Sequence, residues 1–246
     1  MNNNQATLNK MDSMRLHGMA RAFRSSFESG VKHSFTADEL LSHLIDAEWD
    51  DRANRKLSRY IKTARFRYQA SIEEIDFGID RGLDKNMFLR FTDCRWIEEH
   101  KNIIFTGPTG IGKSFIAQAL GYQACLNGFR TGYFQCMKYF KHLNFSRNEN
   151  KYLKEMKHLQ KLDLIILDDL GLEPFDTSSR LSLLEILEDR YNRASTIIVS
   201  QIPVSSWHKI IGDKTIADAI CDRIVHSAYR IDMKGESVRK LYSNRT

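Results

Sequence analysis

One stretch of this chain combines glycines, a lysine and a serine at a spacing that suits phosphate binding. Residues 107–114 read Gly-Pro-Thr-Gly-Ile-Gly-Lys-Ser, which matches the P-loop pattern G-x-x-x-x-G-K-[ST]. The glycines allow a tight turn that points backbone N–H groups at phosphate oxygens, and the N-terminus of a following helix attracts the anion. Lys113 is predicted to reach the β- and γ-phosphates and Ser114 to hold Mg²⁺. The residues predicted to bind ATP are Gly107, Pro108, Thr109, Gly110, Ile111, Gly112, Lys113 and Ser114.

Two adjacent carboxylates follow a second apolar run and are expected to act together with this loop. Residues 164–169 read Leu-Ile-Ile-Leu-Asp-Asp, the pattern of a buried strand that ends in two acids. We expect this strand to lie beside the P-loop strand, so that Asp168 supports Mg²⁺. Asp169 is then placed to orient or deprotonate an attacking water. A strand end with two solvated acids is the alternative, and the presence of the P-loop makes it the weaker one.

The elements that must position these residues follow from hydrophobic periodicity. An apolar run at 102–106 predicts a strand before the P-loop, and residues 115–126 read as a helix after it. Alternating strands and helices predict an α/β fold with a parallel sheet flanked by helices over residues 71–246. Residues 1–70 predict a small all-helical N-terminal domain, with helices at 8–27 and 36–66 and a capping box at 36–39. Further strands are predicted at 130–136, 196–201 and 229–233, and helices at 137–161, 178–192 and 215–225.

Composition limits the class of protein. The 246 residues are 42% hydrophobic, enough for a substantial core, and carry a formal net charge of +6. This charge is compatible with a nucleic-acid partner but does not prove one. The four cysteines are scattered and predict reduced thiols in a cytoplasmic protein. The polar N-terminus does not resemble a secretory leader, and no run has the length of a membrane span.

Two stretches concentrate basic residues. Residues 52–67 contain seven basic residues and no acid, and residues 137–161 contain seven against two glutamates. Like charges repel each other, so a phosphate backbone would be a favourable partner, although a solvated surface is the usual fate of such residues. The candidate DNA contacts are Arg52, Arg55, Lys56, Arg59, Lys138, Lys141, Lys151 and Lys154.

Two further polar residues are candidates for catalysis. Gln201 follows an apolar strand, where a polar side chain can position water near the γ-phosphate, and Ser200 precedes it. Arg223 lies on an amphipathic helix; it is either an ordinary surface arginine or an arginine finger that acts on the ATP of a neighbouring subunit. We expect the predicted site to lack a second cation in its own chain besides Lys113, which makes a finger from a neighbour attractive.

Taken together, these stretches resemble the IstB-type helper ATPases of bacterial insertion sequences, a branch of the AAA+ class close to the DnaC helicase loaders and DnaA. The resemblance covers nearly the whole chain and is carried by 44–52, 64–68, 75–77, 107–114, 167–171, 184–191, 205–208, 217–223 and 235–240. It implies a helical N-terminal domain, an AAA+ core, ATP hydrolysis with Mg²⁺, and self-assembly into a ring or spiral. It also implies binding of duplex DNA without strong sequence preference and delivery of that DNA to an IstA-type transposase.

The resemblance also assigns roles by position and shows departures from the wider class. Gln201 falls at the sensor-1 position and Arg223 at the position of the trans-acting arginine. Asp169 replaces the glutamate of many AAA+ proteins, as is usual in this branch. The helical lid that follows most AAA+ cores is expected to be absent or minimal, so Arg239 is only a weak candidate for a sensor-2 arginine.

Two other functions use parts of the same pattern. A DnaC-like loader would dock its N-terminal domain on a replicative helicase, but the Asp-Ala-Glu-Trp-Asp-Asp-Arg stretch at 46–52 favours the transposition helper. A small-molecule kinase would need a substrate pocket and a lid, and the basic stretches and short C-terminus argue against it.

Overall fold

A computed structural model describes residues 3–28 and 35–238 of the chain. The chain divides into two compact units, with the boundary between Arg59 and Tyr60. Residues 60–70 therefore fold with the second unit, where Ala70 is part of the hydrophobic core and Phe66 and Tyr68 pack against that core. The division into domains at residue 70 stays a prediction.

The first unit consists of helices. α1 spans Asn3–Ser13, α2 spans His17–Glu28 and α3 spans Ala37–Ala64. The prediction of one helix over 8–27 is wrong, because the chain turns at residues 14–16, where Arg15 has a φ of 59°. The capping box is confirmed: Glu39 accepts a hydrogen bond from the Thr36 backbone N–H at 2.7 Å, and Thr36 Oγ1 accepts one from the Glu39 N–H at 3.3 Å.

Buried carboxylates of α3 hold α2 in place. Glu48 Oε2 accepts hydrogen bonds from the backbone N–H groups of Gly18 (2.8 Å) and Met19 (3.2 Å), at the N-terminus of α2. Asp51 pairs with Arg21 and also with Arg55. Two acids of the 46–52 stretch therefore have structural roles in this unit.

The second unit is built on a five-stranded parallel sheet. The strands are β1 (Asn102–Thr106), β2 (Thr131–Gln135), β3 (Leu164–Leu170), β4 (Ser195–Ser200) and β5 (Ala228–Asp232). Their order is β2-β3-β4-β1-β5, and every pairing is parallel. The predicted α/β class is confirmed, but β3 does not lie beside β1 as expected. β4 lies between them, because the apolar pattern marks each strand without giving the order of the strands in the sheet.

Helices cover both faces of this sheet. The flanking elements are α4 (Lys85–Leu89), α5 (Arg95–Glu98), α6 (Lys113–Leu126), α7 (Cys136–Asn148), α8 (Tyr152–Gln160), α9 (Thr177–Arg190), α10 (Trp207–Ile211) and α11 (Lys214–Val225). Alternate residues of each strand enter different cores: Ile103 packs in the cluster that includes residues of α6, and Ile104 in the cluster that includes residues of α7, α9 and α11. The helix predicted over 137–161 is two helices, because Asn150 turns the chain with a φ of 56°.

Candidate nucleotide site

The P-loop joins the carboxyl end of β1 to the first turn of α6. Gly107, Gly110 and Gly112 have φ values of 137°, 80° and 99°, which a side chain would strain. The N-terminal N–H groups of α6, which begins at Lys113, are directed towards this loop. The predicted order of strand, loop and helix is therefore present, with glycine at the turns that need it.

Lys113 is buried and folds back on the loop. Its Nζ donates to the carbonyl oxygens of Gly107 and Pro108, both at 2.7 Å. Burial lowers the pKa of Lys113, and the negative charges of Asp168 and Asp169 act against that shift. The ammonium is thus held at the loop by neutral carbonyls, which phosphate oxygens can replace.

Ser114, in the first turn of α6, is hydrogen-bonded to the buried Asp168 of β3. Ser114 Oγ donates to Asp168 Oδ1 at 2.9 Å, and the hydroxyl of Tyr133 donates to Asp168 Oδ2 at 2.6 Å. Burial raises the pKa of Asp168, and the charge of Asp169 adds to this against the hydrogen bonds from Tyr133 and Ser114. A buried carboxylate with a raised pKa is poised to take up a cation.

The oxygen donors of Ser114 and Asp168 fit Mg²⁺. Mg²⁺ in nucleotide sites is usually held by one or two carboxylates together with substrate phosphates, rather than by an all-protein cage. Accordingly, no group of three or more His, Cys, Asp or Glu that could hold a metal occurs in residues 3–28 and 35–238. Ser114 and Asp168 are thus brought together, and their role as metal ligands stays a prediction.

Asp169 lines the cleft in a conformation that is unusual for aspartate. Its φ is 60°, in the left-handed region, and the register of β3 against β4 shifts between Leu167 and Leu170. Residues held in this region are often found at functional sites. Gln135 Nε2 donates to Asp169 Oδ2 at 3.2 Å and so orients the carboxylate that we predicted to act on water.

Gln201 and Ser200 differ in what their side chains do. Gln201 lines the same cleft as Lys113 and Asp169. Ser200 is fully buried, and its Oγ donates to the Leu170 carbonyl at 2.8 Å and accepts from the Ile202 N–H at 3.1 Å. Ser200 therefore fixes the end of β4, and Gln201 is the polar side chain that is available to water.

The remaining wall of the cleft comes from residues that the sequence did not single out. The cleft has a volume of about 440 Å³. Gln118 Oε1 accepts hydrogen bonds from the backbone N–H groups of Arg67 (2.6 Å) and Tyr68 (3.1 Å) and so ties this wall to α6. The wall also contains apolar side chains that suit a flat base: Tyr68, Ile75, Ile79 and Phe115.

Two further cations of the same chain, Arg67 and Arg81, also line this cleft, so the expectation that Lys113 has no companion cation is wrong. Arg81 is buried, and its guanidinium donates to the carbonyl oxygens of Asp76 (2.8 Å) and Ile111 (3.4 Å). No local pattern marks Arg81, because it lies 30 residues before the P-loop residue that it contacts.

Arg223 is not among the residues that line the cleft of its own chain. It lies on α11, pairs with Glu188 at 2.5 Å and donates to the Ala219 carbonyl at 3.0 Å. The ion pair with Glu188 raises the pKa of Arg223. Action on a nucleotide would therefore require Arg223 to exchange Glu188 for the phosphate of a neighbouring subunit. Arg239, the weak sensor-2 candidate, lies outside the described residues.

The two basic stretches have different surroundings. Arg52 pairs with Glu48 at 2.6 Å and Arg55 with Asp51 at 2.6 Å, so acids one helical turn earlier offset part of the charge on α3. The four candidate lysines on α7, on α8 and between them are exposed: Lys138, Lys141, Lys151 and Lys154. One of them forms an ion pair, Lys151 with Glu149 at 2.8 Å. The argument from unbalanced charge is therefore stronger for the second stretch.

Comparison with known proteins gives a family and a set of relatives. The family model described as IstB-like ATP binding protein matches residues 9–246. The insertion sequence ATP-binding protein y4pL of Sinorhizobium fredii (strain NBRC 101917 / NGR234) is 44% identical over 234 residues, covering 95% of this chain and 96% of that protein. The IS1162 ATP-binding protein of Pseudomonas fluorescens is 36% identical, covering 82% of this chain and 88% of that protein.

Solved structures of other proteins share a fold with this chain. The crystal structure of DnaI matches with a TM-score of 0.57 and 20% identity, covering 68% of this chain and 92% of that chain. The DnaC helicase loader matches with a TM-score of 0.52 and 21% identity, covering 72% of this chain and 99% of that chain. At these identities the likeness concerns the AAA+ P-loop fold alone. In the described part of the chain, no helix has both the length and the apolar character needed to cross a membrane.

Proposed function

The chain belongs to the IstB-like family of ATP-binding proteins, and we propose that it is an ATP hydrolase that assembles on duplex DNA and delivers that DNA to a transposase. The resemblance found in its motifs is thereby confirmed at the level of the family. The observation that carries the proposed hydrolysis is that Lys113, Ser114 and Asp169 line one cleft and that Asp168 is hydrogen-bonded to Ser114 beside it.

The residues of the cleft divide the work of hydrolysis. Lys113 leaves the carbonyls of Gly107 and Pro108 and stabilises the charge that develops on the γ-phosphate. Ser114 and Asp168 would hold Mg²⁺, which would supply positive charge for the phosphates. Asp169 accepts the proton of the attacking water, and Gln201 orients that water. The phosphorus–oxygen bond to ADP breaks as the bond to water forms.

The DNA-binding part of the proposal is supported by exposed charge. Exposed lysines of α7 and α8, with Lys151 between the two helices, can neutralise phosphates without sequence preference. α7 begins at Cys136, directly after Gln135, the residue that holds Asp169. DNA contact on this helix would therefore be one residue and one hydrogen bond away from the catalytic carboxylate.

The transposase is proposed as the partner because the relatives are named as insertion sequence ATP-binding proteins. A helicase loader is the second function that this fold could serve. The likeness to DnaI and DnaC is one of fold at about one-fifth identity, so it gives no reason to prefer a helicase as partner.

The proposed activity is tested by measuring ATP turnover with and without duplex DNA while particle size is followed by light scattering. We expect DNA to raise both turnover and particle size, and Lys113→Ala to abolish ATP binding. Replacing Lys138, Lys141 and Lys154 by Gln should flatten the salt dependence of DNA binding, because each phosphate contact contributes a slope of about 0.9 in log K against log salt. An unchanged slope, with a flattened one on replacing Arg52, Arg55, Lys56 and Arg59, would move the DNA surface to α3.

Assembly is tested through Arg223. If Arg223 acts on a neighbour, Arg223→Ala should bind ATP without turning it over, and turnover per wild-type subunit should fall on dilution. Mixing Arg223→Ala with Lys113→Ala should restore some activity, since one chain supplies the P-loop and the other the arginine. A mixture that stays inactive, with turnover that is constant on dilution, would contradict the role in trans.

A further inference from the structure

The chain that follows β5 crosses the P-loop. We call residues Met233–Val238 the C-terminal strap. At its start, the Met233 N–H donates to the Thr106 carbonyl at 2.8 Å, at the end of β1. At its other end, the Val238 N–H donates to the Gly110 carbonyl at 3.0 Å, in the middle of the P-loop. A backbone hydrogen bond at each end therefore joins the strap to the end of β1 and to the P-loop.

The strap and the P-loop are in direct backbone contact. A methyl group added to Gly107 would lie 2.2 Å from the carbonyl oxygen of Met233, and one added to Gly110 would lie 2.2 Å from Oγ of Ser237. Two glycines of the phosphate-binding motif are thus required by the approach of the strap as well as by their positive φ angles. Val238 itself lines the cleft.

A second segment completes the support of the loop. The Lys234 N–H donates to the Arg81 carbonyl at 3.0 Å, and the Arg81 guanidinium donates to the Ile111 carbonyl at 3.4 Å. A methyl group on Gly112 would lie 2.9 Å from Nη1 of Arg81. The strap and Arg81 therefore hold consecutive parts of the P-loop and are hydrogen-bonded to each other.

We propose that the C-terminal strap is a positioning element of the nucleotide site, which holds residues 107–112 in the form that binds ATP. A loop with glycines at 107, 110 and 112 has many conformations open to it, and ordering such a loop opposes binding. Contacts that order the loop before ATP binds remove this entropic cost from the binding step. The proposal rests on ATP binding by this cleft and adds that a segment after the last strand sets its affinity.

The test removes one hydrogen bond and keeps the rest of the chain. Val238→Pro lacks the N–H that donates to Gly110, whereas the control Val238→Ala loses a similar part of the side chain and keeps the N–H. We expect Val238→Pro to bind a non-hydrolysable ATP analogue about three- to tenfold more weakly than Val238→Ala, the range that one backbone hydrogen bond gives. Its KM for ATP should rise more than its kcat falls.

A readout without nucleotide separates positioning from direct contact. In the nucleotide-free proteins, the P-loop amides should exchange their hydrogens faster in Val238→Pro than in Val238→Ala, while melting temperatures stay close. Equal analogue affinity and equal exchange in the two variants would overturn the proposal. Failure of the wild-type protein to bind the analogue would instead overturn the proposed function, since that comparison does not involve the strap.

A pair of shortened chains provides a second test that does not depend on proline. A chain that stops after Val238 keeps the strap, and a chain that stops after Met233 loses most of it. We expect the first to bind the analogue at least about threefold more tightly than the second. If the chain that stops after Val238 binds as weakly as the shorter one, the determinant lies in residues 239–246 and the strap has no such role.

Discussion

The helical first unit and the nucleotide cleft of the second unit both bury charged side chains, but these charges have different partners. In the first unit, Glu48 accepts hydrogen bonds from the N-terminus of α2, and three arginines pair with Glu48 and Asp51. In the second unit, the Lys113 ammonium donates to neutral carbonyl oxygens. The carboxylate of Asp168 accepts hydrogen bonds from two hydroxyls, and no cation of the described residues is bonded to it.

The directions of the pKa shifts express the same contrast. Burial raises the pKa of Glu48, but the hydrogen bonds from Arg52 and from the N-terminus of α2 outweigh it, so the pKa of Glu48 is lowered. The pKa of Asp168 is raised. The charge on Glu48 therefore stabilises the fold, whereas the charge on Asp168 opposes folding, and the Mg²⁺ proposed above would offset it. A buried charged group that binds a ligand has hydrogen-bond partners that the ligand can replace, whereas a buried charged group that stabilises the fold keeps its partners.

The largest expected effect comes from removing the charge at the cleft. Asp168→Asn keeps an oxygen that can accept from Ser114 and from the Asp169 N–H, and its amide can donate to Tyr133. We expect ATP turnover to fall by a factor on the order of 10² or more, because support for Mg²⁺ is lost. Calorimetry of the nucleotide-free protein should show a melting temperature that is unchanged or higher. A clear loss of stability would mean that Asp168 is a structural charge like Glu48.

A smaller effect is expected from the hydroxyl that orients Asp168. Tyr133→Phe removes one of the hydrogen bonds to this carboxylate and leaves the ring in place. We expect the Mg²⁺ concentration for half-maximal turnover to rise about tenfold, as is found for groups that orient metal ligands. Turnover at saturating Mg²⁺ should change much less, and an unchanged Mg²⁺ dependence would contradict this role for Tyr133.

Removing the charge of Glu48 should have the opposite pattern. Glu48→Gln loses the carboxylate that caps α2 and pairs with Arg52. We expect the first unit to lose about 1 kcal/mol of its free energy of unfolding, in the range for a lost helix cap. The rate of ATP hydrolysis per folded chain and the KM for ATP should stay within about twofold of the wild-type values. Circular dichroism melts and steady-state kinetics on the same preparation check both statements.

Measuring the stability of wild type and Glu48→Gln at decreasing pH should show a still smaller effect. Because the pKa of Glu48 is lowered in the folded protein, its charge stabilises the fold above the pKa of an unfolded glutamate, about 4.3, and this contribution is lost as pH falls below it. The difference in stability between wild type and Glu48→Gln should therefore shrink between about pH 5 and pH 3. A difference that stays constant over this range would show that the hydrogen bonds of Glu48 do not depend on its charge.

The sequence predicted the parts of the site that depend on local pattern. The P-loop and the acids after β3 each lie within one continuous run, so their strand, loop and helix context could be inferred. The partners Tyr133 and Gln135 on the neighbouring strand β2 were missed, although Gln135 pairs in register with Asp168. The rule that drew attention to Gln201, a polar residue at the carboxyl end of a strand, applies equally to Gln135.

Other features depend on contacts that no local pattern encodes. The order of the strands places β4 between β1 and β3. The breaks at Arg15 and Asn150 use left-handed backbone at residues other than glycine, which the hydrophobic periodicity does not reveal. Arg81 reaches the P-loop through the folded chain.

The central claim is that Asp168 and Asp169 exist for the chemistry of ATP, and Asp169→Asn tests it most directly. This variant keeps an oxygen and an amide at the end of β3 but cannot accept the proton of water. Single-turnover hydrolysis should be measured beside ATP affinity in wild type and variant. The account predicts near-normal affinity and a hydrolysis rate lower by a factor on the order of 10² to 10⁴. Hydrolysis at the wild-type rate would contradict it.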